Sequence, residues 1–446
     1  MNLAILIRAP RLFVLAAGLM LGASAQAIDY GPFSLTGFAK VELTGVSDLC
    51  ENCQARAGEN KQRYWADPLV QGAPYGYGTT HVTLVQPYLG VKFDVAEGFK
   101  VGALLSQRWR DGKEDFKGFY YEKNVFVSNG DYGSVRYGAM PTRGWSVADY
   151  PYGSNIGLAD PWASSGAGYG ILTRALRVST RALDVAEGDL VLEATYDWGK
   201  EGWHQNKPSF LEFYAQFHKG DLVVDAMYQD ARNGTPSAFG HGVFTGLTPF
   251  PADDPKLGSS SQGIAMIMAR YQVDSKIEIS GGLRANRWSG AWAVITTPEN
   301  TNTGTGISDL ARWNEMFNVD WTKEYGGGVG RPVSYKGYPA TSLDLMLGAR
   351  YRLEQWTAYT GMVHLGAAAT ANPMDRGQSN SATIYTLGLN YNFRNGFEVY
   401  GTAAMVNYAR KGLSPMSMPG NAAFTNIDSR VTTQGSWFTA GALFAF

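Results

Sequence analysis

The feature that most constrains this chain is a period-two alternation of apolar and polar residues that keeps returning from residue 33 to residue 446. In the first such stretch Phe33, Leu35, Ala39, Val41 and Leu43 share one face, while Ser34, Thr36, Phe38, Lys40, Glu42 and Thr44 share the other. That split marks a strand with an apolar environment on one side and water on the other. One such strand decides nothing, because a half-buried soluble strand reads the same way. The repetition decides it. About sixteen segments follow the pattern, near 33–46, 81–96, 98–110, 117–128, 133–140, 171–185, 188–199, 208–218, 221–231, 261–272, 275–288, 340–351, 355–366, 380–393, 396–409 and 434–446.

Their connections alternate in length. Short turns such as Ala96-Glu97-Gly98, Asn129-Gly130-Asp131, Ala186-Glu187-Gly188 and Lys219-Gly220-Asp221 alternate with long links such as 47–80, 232–260, 289–339 and 410–433. Soluble sandwiches and propellers lack this one-sided asymmetry, whereas a transmembrane barrel has short periplasmic turns opposite long external loops. After residue 27 no run of about 20 apolar residues is long enough for a spanning helix, which leaves a closed barrel as the way to satisfy the backbone in lipid. The fold expected is all-β: a transmembrane antiparallel β-barrel of about 16 strands in one domain, residues 28–446, with an even strand count placing both ends on the periplasmic side.

Residues 1–27 read as a cleaved signal peptide. Arg8 and Arg11 supply its charge, LFVLAAGLMLGA its apolar core, and Ala25-Gln26-Ala27 its cleavage site, so the processed chain is expected to start at Ile28. Without those two arginines the basic residues (38 less 2) face 39 acidic ones, a formal charge of about −3. That balance names no partner and gives no reason to expect nucleic acid, so any selectivity must be local.

One link breaks the rhythm. Residues 141–170, PTRGWSVADYPYGSNIGLADPWASSGAGYG, are too long for a hairpin and too rich in Gly, Pro, Ser and aromatics for a helix. A long irregular insert in a closed strand array is usually functional, and this one is expected to fold inward and narrow the lumen. It carries Asp149 and Asp160 and the aromatics Trp145, Tyr150, Tyr152 and Trp162. The aromatics read either as packing against the wall or as an apolar slide for solute rings.

The last stretch, Trp437-Phe-Thr-Ala-Gly-Ala-Leu-Phe-Ala-Phe446, places Phe438, Ala440, Ala442, Phe444 and Phe446 on one face, as a lipid-facing closing strand would. With FSLTGFAKVEL near the start and YEKNVFVSNGDYGSVRYGAM before the long insert, the chain resembles the Gram-negative general (non-specific) porins of the proteobacterial type along nearly its whole length. The resemblance implies a sixteen-stranded trimeric barrel of the outer membrane whose third external loop folds inward. The chain departs from the enterobacterial pattern in carrying Tyr150-Pro151-Tyr152-Gly153 where Pro-Glu-Phe-Gly is found.

In such a channel an acidic loop faces a basic wall, and charge and pore width set selectivity. Charge on the lipid face near the midplane costs about 2–4 kcal/mol, so the strand-borne bases are expected to point inward. Alternation selects Lys40, Lys92, Lys100, Arg108, Arg136, Arg177 and Arg181. Of these, Lys40, Arg136, Lys92, Arg108, Arg177 and Arg181 are the candidate basic wall, facing Asp149 and Asp160; ordinary lumen solvation or trimer-axis pairing is the plainer reading of the same charges. Arg143, at the loop root, is placed to pin the loop to the wall through a carboxylate.

Cys50 and Cys53, in SDLCENCQ, fit a small loop disulfide in an oxidising compartment, with free or metal-binding thiols as the alternative. A zinc site would need two more ligands, which no nearby Cys or His pair supplies, so no metal and no cofactor are expected. The histidines, His81, His204, His218, His241 and His364, are scattered, and no Gly-x-Ser-x-Gly or His-Glu-x-x-His stretch is present, so the chain does not read as an enzyme. The function expected is an outer-membrane, water-filled channel for passive diffusion of small hydrophilic solutes and ions, with a substrate-selective channel holding a saturable loop site as the alternative.

Overall fold

The computed structural model describes residues 28–47, 78–110, 112–114, 121–143, 171–198, 209–232, 261–289, 291–294, 333–336, 340–367, 369–370, 379, 381–393, 396–409 and 434–446. Sixteen strands among them form a closed antiparallel barrel. In chain order they are β1 (Phe33–Ser47), β2 (Gly78–Ala96), β3 (Phe99–Ser106), β4 (Glu122–Asn129), β5 (Gly133–Pro141) and β6 (Ile171–Ser179). Then come β7 (Gly188–Asp197), β8 (Ser209–Lys219), β9 (Leu222–Arg232), β10 (Ser261–Gln272) and β11 (Ile277–Ser289). The circuit ends with β12 (Ala340–Leu353), β13 (Trp356–Leu365), β14 (Ala382–Asn392), β15 (Phe397–Tyr408) and β16 (Gln434–Ala445).

Each strand pairs with its successor, and β16 pairs with β1 from Phe38↔Ala445 to Ser47↔Ser436. At the end of that seam Gly37 and Phe446 exchange both backbone hydrogen bonds, at 2.7 and 2.9 Å. Closure leaves no raw sheet edge, which is the condition for a sheet in an apolar medium.

The outer face is the apolar one. On β14 Leu387 is 63% exposed while its neighbour Thr386 is 3% exposed. Val41, Leu43, Val125, Leu283, Leu343 and Phe438 stand out in the same way, against inward Thr44, Asn124, Arg284, Asp344 and Thr439. A water-soluble sheet hides its apolar side; here that side is the surface, an arrangement stable against lipid. Aromatics ring the ends: Trp356, Tyr391, Phe393 and Phe397 follow one another at centroid spacings of 4.7, 4.7 and 5.3 Å at the short-turn end, and Tyr196 meets Trp198 at 5.1 Å at the other.

The short turns are tight. Ala186 and Glu187 both take positive φ, 50° and 62°, the type I′ geometry that matches strand twist. Two expected segments are less regular than their alternation suggests, and one long link is more regular. The stretch 171–185 divides into β6 and Leu183–Val185, because Thr180 leaves the β5 ladder and bonds to Leu192 of β7 through both its N–H and its hydroxyl. The stretch 98–110 likewise divides after Ser106, and Trp109–Arg110 returns to pair with β2. Within the long link 289–339, Ala291–Val294 pairs with Val333–Lys336 as a separate ribbon.

Candidate functional site on the lumenal wall

Antiparallel register lines the inward residues of β4–β9 into one transverse row: Phe126, Arg136, Arg177, Thr195, Glu212 and Gln229 are successive cross-strand partners. Arg177 sits at its centre. Its Nε donates to Thr195 Oγ1 at 2.8 Å, and its Nη2 donates to the Pro141 carbonyl at 2.8 Å and to Glu212 Oε1 at 3.3 Å. Gln229 Nε2 donates to the other Glu212 oxygen at 2.6 Å. Arg136 Nη1 donates to Asn124 Oδ1 at 3.1 Å, with its guanidinium 5.2 Å from the Phe126 ring centre. Asn124 in turn donates to Glu122 and to the Ala139 carbonyl.

The root of the long insert is tied into this row. Arg143 Nε donates to Glu193 Oε2, its backbone N–H donates to Glu212 Oε2 at 2.9 Å, and its guanidinium lies 5.2 Å from the Tyr214 ring centre. Ser179 Oγ donates to the remaining Glu193 oxygen at 2.6 Å. All four charges of this knot are buried. Buried ions are tolerable only when each is paired and hydrogen-bonded, which this geometry provides. A bulge helps: pairing shifts between Gly138↔Ala175 and Met140↔Leu172, and the Arg174 N–H beside the shift donates to Asp197 Oδ2 at 3.1 Å. Met140, Leu172, Ala175, Phe210 and Ala231 then form an apolar cluster on the long-link side of the charged row.

The other sequence candidates are dispersed. Lys40 pairs with Glu42 at 2.9 Å on β1, by the closing seam, and Lys100 pairs with Asp94 at 2.7 Å near the short-turn end. Lys92 lies on the inner face of β2 near that same end. Arg108, buried just beyond β3, lies 4.4 Å from the Tyr121 ring centre. Arg181 is exposed in the break after β6, where Nη1 donates to the Ala182 carbonyl at 3.2 Å. The structure thus brings together Arg136, Arg143 and Arg177. Asp149, Asp160, Cys50, Cys53 and the aromatics Trp145, Tyr150, Tyr152 and Trp162 lie outside the described residues, as do residues 1–27 and the insert from 144 to 170.

Two inward clusters on later strands were absent from the sequence candidates. On β11–β12 Arg284 donates to Asp344 Oδ2 through Nε at 3.1 Å and Nη2 at 2.5 Å, both side chains being 0% exposed. Asn286 Nδ2 donates to the same oxygen at 2.7 Å, and the Gly366 N–H donates to Oδ1 at 2.8 Å. Nearer the turns, Arg350 Nη2 donates to Glu278 Oε2 at 2.6 Å. Alternation could have found both, since Arg284 lies between Leu283 and Ala285 and Arg350 between Ala349 and Tyr351. Among the described residues no His, Cys, Asp and Glu grouping could hold a metal ion.

No family model matches the sequence, and no curated protein matches it either. Solved structures do match its shape. OmpT, an outer-membrane protein of Vibrio cholerae, is 12% identical with a TM-score of 0.55, over 94% of this chain and 100% of that one. The anion-selective porin of Comamonas acidovorans is 14% identical with a TM-score of 0.55, over 93% and 99%. OmpF of Salmonella typhi, solved with daunomycin, is 12% identical with a TM-score of 0.52, over 94% and 100%. At such identities shape is what is shared: the chain has the fold of the outer-membrane porins.

Proposed function

We propose that this chain forms a water-filled channel through a bacterial outer membrane and passes small hydrophilic solutes and ions by diffusion. The observation that carries the reading is the reversed polarity of the barrel, with an apolar exterior and a charged, hydrogen-bonded interior on the same strands. A barrel of this strand number leaves an aqueous lumen unless something fills it. In this reading residues 1–27 are removed on export, short turns face the periplasm, and residues 141–170 narrow the lumen. Arg143 anchors that insert through Glu193 and Glu212. Asp149 and Asp160 face Lys40, Arg136 and Arg177, with Lys92, Arg108 and Arg181 lining the approaches. A trimer fits, since OmpT of Vibrio cholerae is also described in a trimer form. The chemistry of the wall calls for no cofactor and no covalent step, and we infer that the protein is not an enzyme.

The second reading, a selective channel with a saturable site, is favoured by the mutual pairing of Arg143, Arg177, Glu193 and Glu212, which builds a shaped wall rather than a loose field of charges. Single-channel recording in a planar bilayer tests the main reading. Stepwise ohmic conductance with flux linear in solute establishes the diffusion channel, and flux that saturates with one solute establishes the selective one. A silent bilayer from demonstrably folded barrel overturns both.

A further inference from the structure

On β9–β11 the outer apolar band stops at an ionic group. From the short turns upward the outward positions are uncharged as far as Tyr228 on β9 and Ala285 on β11. Asp230 and Arg232 follow on the outer face of β9, and Arg287 follows on that of β11. Register sets them side by side: Asp230 pairs with Gly263 of β10, and Gly263 pairs with Arg287. A Cβ on Gly263 would stand 3.1 Å from both Nε and Nη2 of Arg287, so the bare backbone is the bed over which this guanidinium crosses. Arg287 Nη2 donates to Asp230 Oδ1 at 2.6 Å, and Arg232 Nε donates to Oδ2 at 2.8 Å. The carboxylate is 8% exposed, whereas the side chains of Arg232 and Arg287 are 67% and 44% exposed.

Depth identifies the surroundings. From Ile277 to Arg287 there are ten steps along β11 (287 − 277), which at ~3.4 Å per residue and a tilt of ~40° climb about 26 Å. The apolar band of an outer-membrane barrel is about 25 Å tall. The two guanidiniums therefore stand where hydrocarbon gives way to headgroups, a level at which a lipid-facing cation costs little. Beneath them Ile267 and Leu283, paired across β10 and β11, are 52% and 47% exposed and give acyl chains a surface continuous with the ionic group. Arg binds phosphate through paired N–H donors, and the shared carboxylate fixes the spacing of the two forks. Donors above and hydrocarbon below fit a molecule that has both parts.

We propose that Arg232 and Arg287, held together by Asp230, form a site on the outer wall for the phosphate-bearing headgroup of an anionic lipid, in the leaflet at the long-link end. The site needs guanidinium donors at the surface at headgroup depth. It rests on the barrel standing in a membrane and not on conduction. Its role is to fix the height of β9–β11 in the bilayer.

The test adds dimyristoyl phosphatidic acid to detergent-folded barrel and counts bound lipid by native mass spectrometry, with dimyristoyl phosphatidylcholine as the control of equal chain length. Wild type is compared with Arg232→Gln, which leaves the Arg287–Asp230 bond in place, and with Arg232→Gln/Asp230→Asn/Arg287→Gln, which strands no buried charge. Heat-modifiable migration confirms folding. The expected result is a preference for phosphatidic acid that falls about tenfold in the single variant, disappears in the triple one and weakens as salt rises. Wild type without the preference, or variants that keep it, overturn the site. Displacement of the lipid by an equal concentration of inorganic pyrophosphate overturns the lipid assignment, and variants that lose self-association while keeping the lipid assign the group to a contact between copies instead. Barrel that binds the lipid yet stays silent in a planar bilayer overturns the channel reading and upholds the lipid site.

Discussion

The Tyr400 ring occupies the space that a side chain on Gly441 of the neighbouring strand would need, a Cβ there standing 2.4 Å from Tyr400 Cζ. From that position its hydroxyl donates to Glu42 Oε1 at 2.8 Å, so one side chain on β15 reaches across β16 to β1. Tyr359 repeats the arrangement over Gly388 and meets Thr402 Oγ1 at 2.9 Å. An aromatic laid over a strand glycine restores the packing that the glycine lacks.

This fixes an order of effects at the seam. Tyr400→Phe removes one hydrogen bond and keeps the ring, at a cost of about 1 kcal/mol. Gly441→Ala forces the ring off its seat and is expected to cost about 1–3 kcal/mol. Denaturant midpoints of detergent-folded barrel check the ranking, and a larger effect for Tyr400→Phe would mean that the ring-on-glycine contact does little.

At the loop root Arg143→Ala leaves Glu193, whose side chain is 2% exposed, without its ion partner. The expected loss is about 3–5 kcal/mol, and Arg143→Met combined with Glu193→Leu recovers most of it. The same unfolding assay decides; equal instability of single and paired variants would show that packing, and not the stranded charge, dominates.

Asp344 accepts from Arg284, Asn286 and the Gly366 N–H, whereas loss of Arg284 still leaves Asp344 two donors. Asp344→Ala is therefore expected to destabilise more than Arg284→Ala, by about 1–2 kcal/mol. Thermal unfolding of the two variants side by side measures the gap.

In the turn between β10 and β11, Asp274 Oδ1 accepts the N–H groups of Ile277 and Lys276, each at 2.7 Å, and these bonds hold its carboxyl below the usual carboxylate range. A depressed folded value means the added stability is present above the unfolded value of about 3.9 and disappears as the pH falls through the folded one. The stability gap between wild type and Asp274→Asn should stay flat from neutral pH down to about 4 and close below it. A gap independent of pH down to the acid limit would remove the charge from the explanation.

The barrel was legible in the sequence because its signal is repeated: each strand carries the same alternation, and the short turns punctuate it. The direction of Lys40, Arg136 and Arg177 followed from the same rule. What they touch did not, because partners such as Glu193 for Arg143 and Glu212 for Arg177 come from strands whose register is set only when the ring is built. Tyr400 over Gly441 was hidden for the same reason, the two lying on different strands. Arg350 was overlooked although alternation points it inward; its pairing with Glu278 shows only when β11 and β12 are in register. Thr180 shows the opposite failure, where a pattern that runs on through 171–185 conceals a break made by a hydrogen bond to Leu192.

The seam joins residues very far apart in the chain, as at Thr44 and Thr439, 395 positions from one another. Until β16 exists, β1 has no second neighbour, and its open N–H and C=O groups would accept any stray strand. Synthesis therefore runs ahead of assembly: nearly the whole polypeptide must be kept apart from itself and from its siblings before the first strand can find its last one.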